Sequence, residues 1–93
     1  MNDEILIKAV SYIKRSRNRT NIVLILGENF KMPSEIARDM DLKISQISAI
    51  LSDLKHEGIV ECINEEEKVG RLYRLTDKGK DAYKIIKKNE DEG

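Results

Sequence analysis

The sequence is short of most things that chemistry or covalent stapling require. Its one cysteine, Cys62, cannot form an internal disulfide, so stability must come from packing or from a partner subunit. One cysteine and one histidine, His56, cannot supply a set of soft metal ligands. There is no glycine-rich phosphate loop and no nucleophile paired with a base, so neither catalysis nor a bound cofactor has support. Net charge is absent too: 17 Lys plus Arg balance 17 Asp plus Glu, and no global field draws the chain to nucleic acid or to an anionic membrane. No apolar run approaches the length of a bilayer span, and the opening MNDEILIK carries acids where a secretory signal would be basic. The expectation is a soluble, cytoplasmic protein without chemistry of its own. With 93 residues it forms one small domain, with room for a modest core and hardly for a deep cleft as well.

Aromatic residues are scarce and charged ones make up 37% of the chain, a composition that favours disorder. The isoleucines, leucines and valines nevertheless recur periodically, which is the signature of a packed fold. Ile5, Leu6, Ala9, Val10 and Ile13 stand at helical spacing and predict an amphipathic helix over about residues 2–16. The chain then turns basic at Lys14, Arg15, Arg17 and Arg19, after which Thr20 or Asn21 is expected to cap a short buried helix over 22–26, closed by Gly27. Residues 28–32 read as a loop. Pro33 suits the first turn of a new helix, because the amide it lacks would be unpaired there.

That helix is short, with Ile36, Ala37 and Met40 apolar, and Asp41 stands where the chain must turn. The next helix carries Ile44, Ile47, Ile50, Leu51 and Leu54 on one face and stops at Gly58. Its other face presents Ser45, Ala49, Ser52 and His56, flanked by Gln46, Ser48 and Asp53. Beyond Gly58 the period changes: residues 59–63 and 71–75 alternate on either side of a polar stretch, which predicts a hairpin. Thr76 then caps a last helix with Ala82, Tyr83, Ile85 and Ile86 apolar, before residues 87–93 fray into charge. Cys62 reads as a packed strand residue, since no base stands near it in sequence to activate a thiol and its neighbour Glu61 is an acid.

Residues 33–60, followed by CINEEEKVGRLYRLTDKGK, resemble the winged helix-turn-helix of MarR/ArsR-type transcription regulators, small archaeal ones especially. Ala37, Leu42 and Ile47 at helix-turn-helix spacing carry the resemblance, together with LKHEGIV and LYRLTDKGK, and it covers about residues 18–83. It implies an α+β, mostly helical fold: a winged helix-turn-helix with a two-stranded wing hairpin and flanking N- and C-terminal helices. The implied division is an N-terminal helix at 1–17, the core at 18–75 and a C-terminal helix at 76–88, all in a single domain. The implied function is sequence-specific binding of double-stranded DNA and transcriptional regulation, by a homodimer joined through the terminal helices, whose cleft can hold a small-molecule effector of unknown nature.

In such a domain the second helix enters the major groove. That places Ser45, Gln46, Ser48, Ala49 and Ser52 against the DNA. Gln46 can pair bidentately with adenine, Ala49 can meet a thymine methyl, and the serines can bond phosphates or base edges. Lys43 and the wing residues Lys68 and Arg71 are expected at phosphates or in the minor groove, and Arg15, Arg17 and Arg19 form the richest phosphate-binding cluster. The sequence departs from similar proteins at Ala49, where a base is common, and at Lys43, where Ser or Thr usually caps. Residues 33–60 hold three bases (Arg38, Lys43, Lys55) against five acids (Glu35, Asp39, Asp41, Asp53, Glu57), a net −2, and Glu65, Glu66 and Glu67 make the wing tip acidic. A second reading therefore stays open, a winged-helix module for protein–protein interaction within a larger assembly.

Overall fold

The apolar spacing at the start of the chain is realised as α1 (Asp3–Lys14) in the computed structural model, which describes residues 3–92. Asn2, expected in this helix, lies outside the described residues. Asp3 and Glu4 open α1 and Lys14 closes it, charges that suit the two ends of a helix dipole. Ala9 and Ile13 are buried and Leu6 and Val10 half-buried, but Ile5, expected on the same stripe, stays 47% exposed.

The second helix, α2 (Arg17–Leu26), begins well before the apolar run that predicted it. Its cap is Ser16, whose Oγ accepts from the Arg19 amide at 3.2 Å, and not Thr20 or Asn21. Of the basic residues, Lys14 ends α1, Arg15 lies in the turn, and Arg17 and Arg19 belong to the first turn of α2, Arg17 exposed and Arg19 half-buried. Thr20 is inside it and buried, donating Oγ1–H to Ile13 O (3.1 Å) or Ser16 O (3.0 Å), which ties α2 to the end of α1.

After Gly27 the chain forms β1 (Phe30–Lys31), α3 (Pro33–Met40) and α4 (Ile44–His56), then β2 (Val60–Cys62), β3 (Tyr73–Leu75) and α5 (Asp77–Glu92). The expected two-stranded hairpin is therefore part of a three-stranded antiparallel sheet in the order β1-β3-β2, with Phe30 opposite Arg74 and Glu61 opposite the same Arg74 from the other side. A two-residue strand is too short to show a period, so the stretch reads as a loop. The last helix runs on through residues expected to fray, because Lys, Asn, Glu and Asp there include no breaker.

Ile22, Leu26, Ile36, Ile47, Leu51, Leu54 and Ile86 are fully buried and form the centre of the core. Burying each such side chain contributes about 1.5–3 kcal/mol. Two joints then fix where α4 sits. Asp41 takes the left-handed conformation (φ 55, ψ 45), and the Leu42 amide donates to Ala37 O at 3.0 Å, closing α3 and turning the chain sharply into α4. At the far end Gly58 has φ 72 and the Ile59 amide donates to Leu54 O at 2.9 Å. Thr76 locks that exit to α5: its hydroxyl donates to Gly58 O at 2.6 Å and accepts from the Gly79 amide at 3.1 Å.

Candidate nucleic-acid interface

Helix α4 buries Ile47, Leu51 and Leu54 and half-buries Ile50, which leaves Ser45, Gln46, Ser48, Ala49, Ser52 and Asp53 exposed on its outer side. Lys43 stands at the N-cap without a side-chain cap, having no acceptor to offer, and Gln46 supplies the missing partner: its Oε1 accepts from the Lys43 amide at 3.1 Å. Bidentate pairing of Gln46 with adenine, expected from sequence, therefore requires release of this bond. Its NH2 group alone is free of that duty.

Ile44 is a correction. Expected on the buried face, it is 54% exposed, because as the first residue of α4 it stands at the edge of the α3–α4 packing. It shares a stripe with Ser48, Ser52 and Lys55, and these face the wing across a groove of about 610 Å³. Pro33 and Ser34 of α3, Tyr73, and the wing residues Lys68, Val69, Gly70 and Arg71 complete the walls. Four of the sequence-derived candidates, Ser48, Ser52, Lys68 and Arg71, thus line one groove. Lys43, Ser45, Gln46 and Ala49 are exposed on the same helix segment outside that lining.

The wing is internally braced. The Ile63 amide donates to Leu72 O at 2.9 Å, continuing the ladder beyond the strands. Asn64 clamps the loop, accepting from the Leu72 amide (2.8 Å) and donating to Gly70 O (3.1 Å). Arg71 donates Nε–H to Glu67 O at 2.7 Å and Nη2–H to Glu65 O at 3.2 Å, so part of its guanidinium holds the wing backbone and part remains for a phosphate. Lys55 Nζ pairs with the Glu65 carboxylate, joining the last turn of α4 to the wing. The hydrogen bond with Glu65 raises the Lys55 pKa, and the same bond lowers that of Glu65. Lys55 was missed as a groove residue, although its spacing from Ser48 and Ser52 places it on their stripe.

The basic corner behaves differently. Arg19 donates Nη1–H to Tyr12 O at 2.9 Å and its guanidinium lies 3.9 Å from the centroid of the Tyr12 ring, so it clasps α1 to α2. Arg17 pairs with Glu90 at 3.4 Å, and Arg15 is exposed. Lys14 and Arg17 border a hollow shared with Ile86, Asn89 and Glu90, whose lining includes no residue of α4 or the wing. Cys62 is half-buried, its thiol 3.5 Å from Asn64 Oδ1. Among the described residues no group of three or more His, Cys, Asp or Glu is placed to hold a metal, and no helix is long and apolar enough to cross a membrane.

The fold is shared with solved structures. A MarR family transcriptional regulator from Silicibacter pomeroyi superposes with a TM-score of 0.75 at 16% identity, over 97% of this chain and 67% of that one. Reduced HlyU from Vibrio cholerae gives 0.73 at 22% identity, over 94% and 86%. A mutant form of ZitR from Lactococcus lactis gives 0.74 at 15% identity, over 83% and 53%. The fold is that of the winged-helix regulators. The present chain spans about half the length of that ZitR chain, 53%. No family model matches the sequence, and no curated protein matches it. The archaeal kinship suggested by the resemblance finds no support among these neighbours.

Proposed function

We propose that this chain is a sequence-specific double-stranded DNA-binding regulator of transcription that acts as a homodimer. The observation that carries the reading is the outer face of the first three turns of α4, uncharged and rich in small residues from Ser45 to Ser52, held beside the wing by the Asp41 turn and the Thr76 lock. A helix so presented fits a major groove about 12 Å wide, with Ser45, Gln46, Ser48, Ala49 and Ser52 toward the bases. Lys43, Lys68 and the open part of Arg71 take phosphates. Arg17 and Arg19 stay outside this interface, since they sit with the end of α5 and with Tyr12, and the exposed Arg15 between α1 and α2 is left with them. Dimerisation is assigned to the apolar strip of Leu6, Ile7 and Val10 on α1 with Ile85 on α5, where Ile7 is 65% and Ile85 37% exposed. A twofold pair presents two copies of α4 to half-sites about one DNA turn apart.

A fluorescence-anisotropy titration tests this with random duplex and with the region upstream of the chain's own gene, at low and near-physiological salt. The expected result is preference for the upstream fragment and affinity that falls steeply with salt. Lys68→Gln should flatten the salt slope by about one phosphate contact, and Ser48→Glu should weaken binding about tenfold or more. A second reading, docking of a protein partner, draws on the ion pair that cancels Lys55 and on the net −2 of residues 33–60. It predicts no duplex binding at low salt and salt-insensitive capture of the partner.

A further inference from the structure

The residues that α4 turns outward in its first turns lack any guanidinium, ammonium or imidazole: they are Ile44, Ser45, Gln46, Ser48, Ala49 and Ser52. The basic residues of the helix, Lys55 and His56, both stand in its last turn, and Lys55 is held by Glu65. Guanine is read mainly by Arg or Lys, bonded to its O6 and N7, and the N-terminal part of a recognition helix is the part that reaches base edges. Within these turns of α4 no guanine-reading cation is therefore presented, and the nearest ammonium, Lys43 at the N-cap, is assigned to a phosphate in the reading above. Apolar carbon is present instead. Ile44 is 54% exposed at the first helical position, facing the groove that Val69, 87% exposed, borders from the wing, and Ala49 offers its methyl on the outer face.

In the major groove the one apolar group that distinguishes a base pair is the C5-methyl of thymine. Resting on the DNA-binding reading above, we infer that α4 recognises thymine methyl groups through Ile44 and Ala49, so that the half-site beneath it is built of A·T pairs. Gln46 does not decide between the purines while its capping bond holds, because the NH2 left free can donate to N7 of adenine or of guanine; release of Oε1 from the Lys43 amide would let it accept from the adenine amino group as well. Asp53 favours cytosine through its amino group, but it lies in the second half of the helix, beyond the turns that reach base edges. Exposed isoleucine on the reading side also has a physical consequence for the free protein: its burial against a methyl is a gain available only on binding.

The test begins with selection of duplexes from a randomised library by the full chain, followed by resynthesis of the selected duplex with uracil in place of thymine. Uracil removes the methyl and keeps every hydrogen-bonding group. The expected result is A·T pairs in the selected half-sites, about fourfold weaker binding per contacted methyl removed, and an Ile44→Ala variant that loses affinity for the thymine duplex and is less sensitive to the exchange. Thermal melting by circular dichroism should show Ile44→Ala folded, since the side chain is more than half exposed. Selection of G·C half-sites, equal binding of the uracil duplex, or full methyl sensitivity retained by Ile44→Ala would each overturn the inference while leaving DNA binding in place. Failure to bind any duplex would overturn the DNA reading and this inference with it.

Discussion

Gly79 sets how closely α5 approaches the exit of α4. A Cβ added there would collide with the carbonyl oxygen of Ile59 and press on Leu75 Cβ at 3.2 Å. Helix propensity favours alanine over glycine at an interior helical position by up to about 1 kcal/mol, but overpacking against backbone costs about 1–3 kcal/mol. The clash wins because the Ile59 carbonyl also accepts the Thr76 amide at 3.0 Å and cannot retreat without breaking the lock. Gly79→Ala should therefore lower stability by up to about 2 kcal/mol in urea unfolding, net of the propensity gain. An unchanged or higher midpoint would mean that α5 can slide away from Ile59 freely.

The wing is an element tied to α4 by one exposed ion pair, and its response to pH follows from the two shifts. Glu65 lies below the ordinary glutamate value of 4.5, so its contribution is complete above 4.5 and disappears as pH falls through the depressed value. Lys55 lies above the ordinary 10.5, so its contribution is complete below 10.5 and disappears as pH rises through the raised value. Amide exchange at Glu67, whose N–H donates to Asn64 O at 3.0 Å, should then stay constant between 4.5 and 10.5, apart from the intrinsic base-catalysed rate, and quicken beyond either limit. A Glu65→Gln variant should remove the acid limb of that profile. The same elements show what the sequence can and cannot disclose. Pro33, Asp41, Gly58 and Thr76 each perform a local duty that is legible from residue type alone, and they define α3, α4 and the start of α5. The start of α2 was obscured because Thr20 has the chemistry of a cap, while only the tertiary contact to Ile13 O reveals it as an interior tie. Ile44 was misplaced for a related reason: periodicity assigns a face, but the end of a helix can outrun the surface it packs against. The outer serines of α4 and the lysine of the wing were visible as a pattern, and their meeting across one groove depends on a fold that no local pattern states.

For the molecule as a whole, the terminal helices pack on each other and still leave Leu6, Ile7, Val10 and Ile85 along a shallow apolar strip. Ile7→Glu places a charge in the middle of that strip at a site already 65% exposed, so the monomer should keep its fold. Light scattering after size exclusion should show the dimer of the parent chain reduced to monomer in Ile7→Glu, with duplex binding weakened in step. A parent chain that is monomeric at micromolar concentration would remove the paired arrangement while leaving each α4 able to contact DNA.

The Thr76 lock has a mechanical side. It joins α5, which carries part of the apolar strip, to the last residues after α4 through Gly58 O, Ile59 O and the Gly79 amide. In a pair assembled through α1 and α5, the distance and angle between the two copies of α4 would be a built-in gauge, transmitted through the hydrogen bonds at Thr76. Such a gauge accepts one spacing of half-sites and refuses its neighbours, so discrimination would come from geometry even where the base contacts themselves are weak.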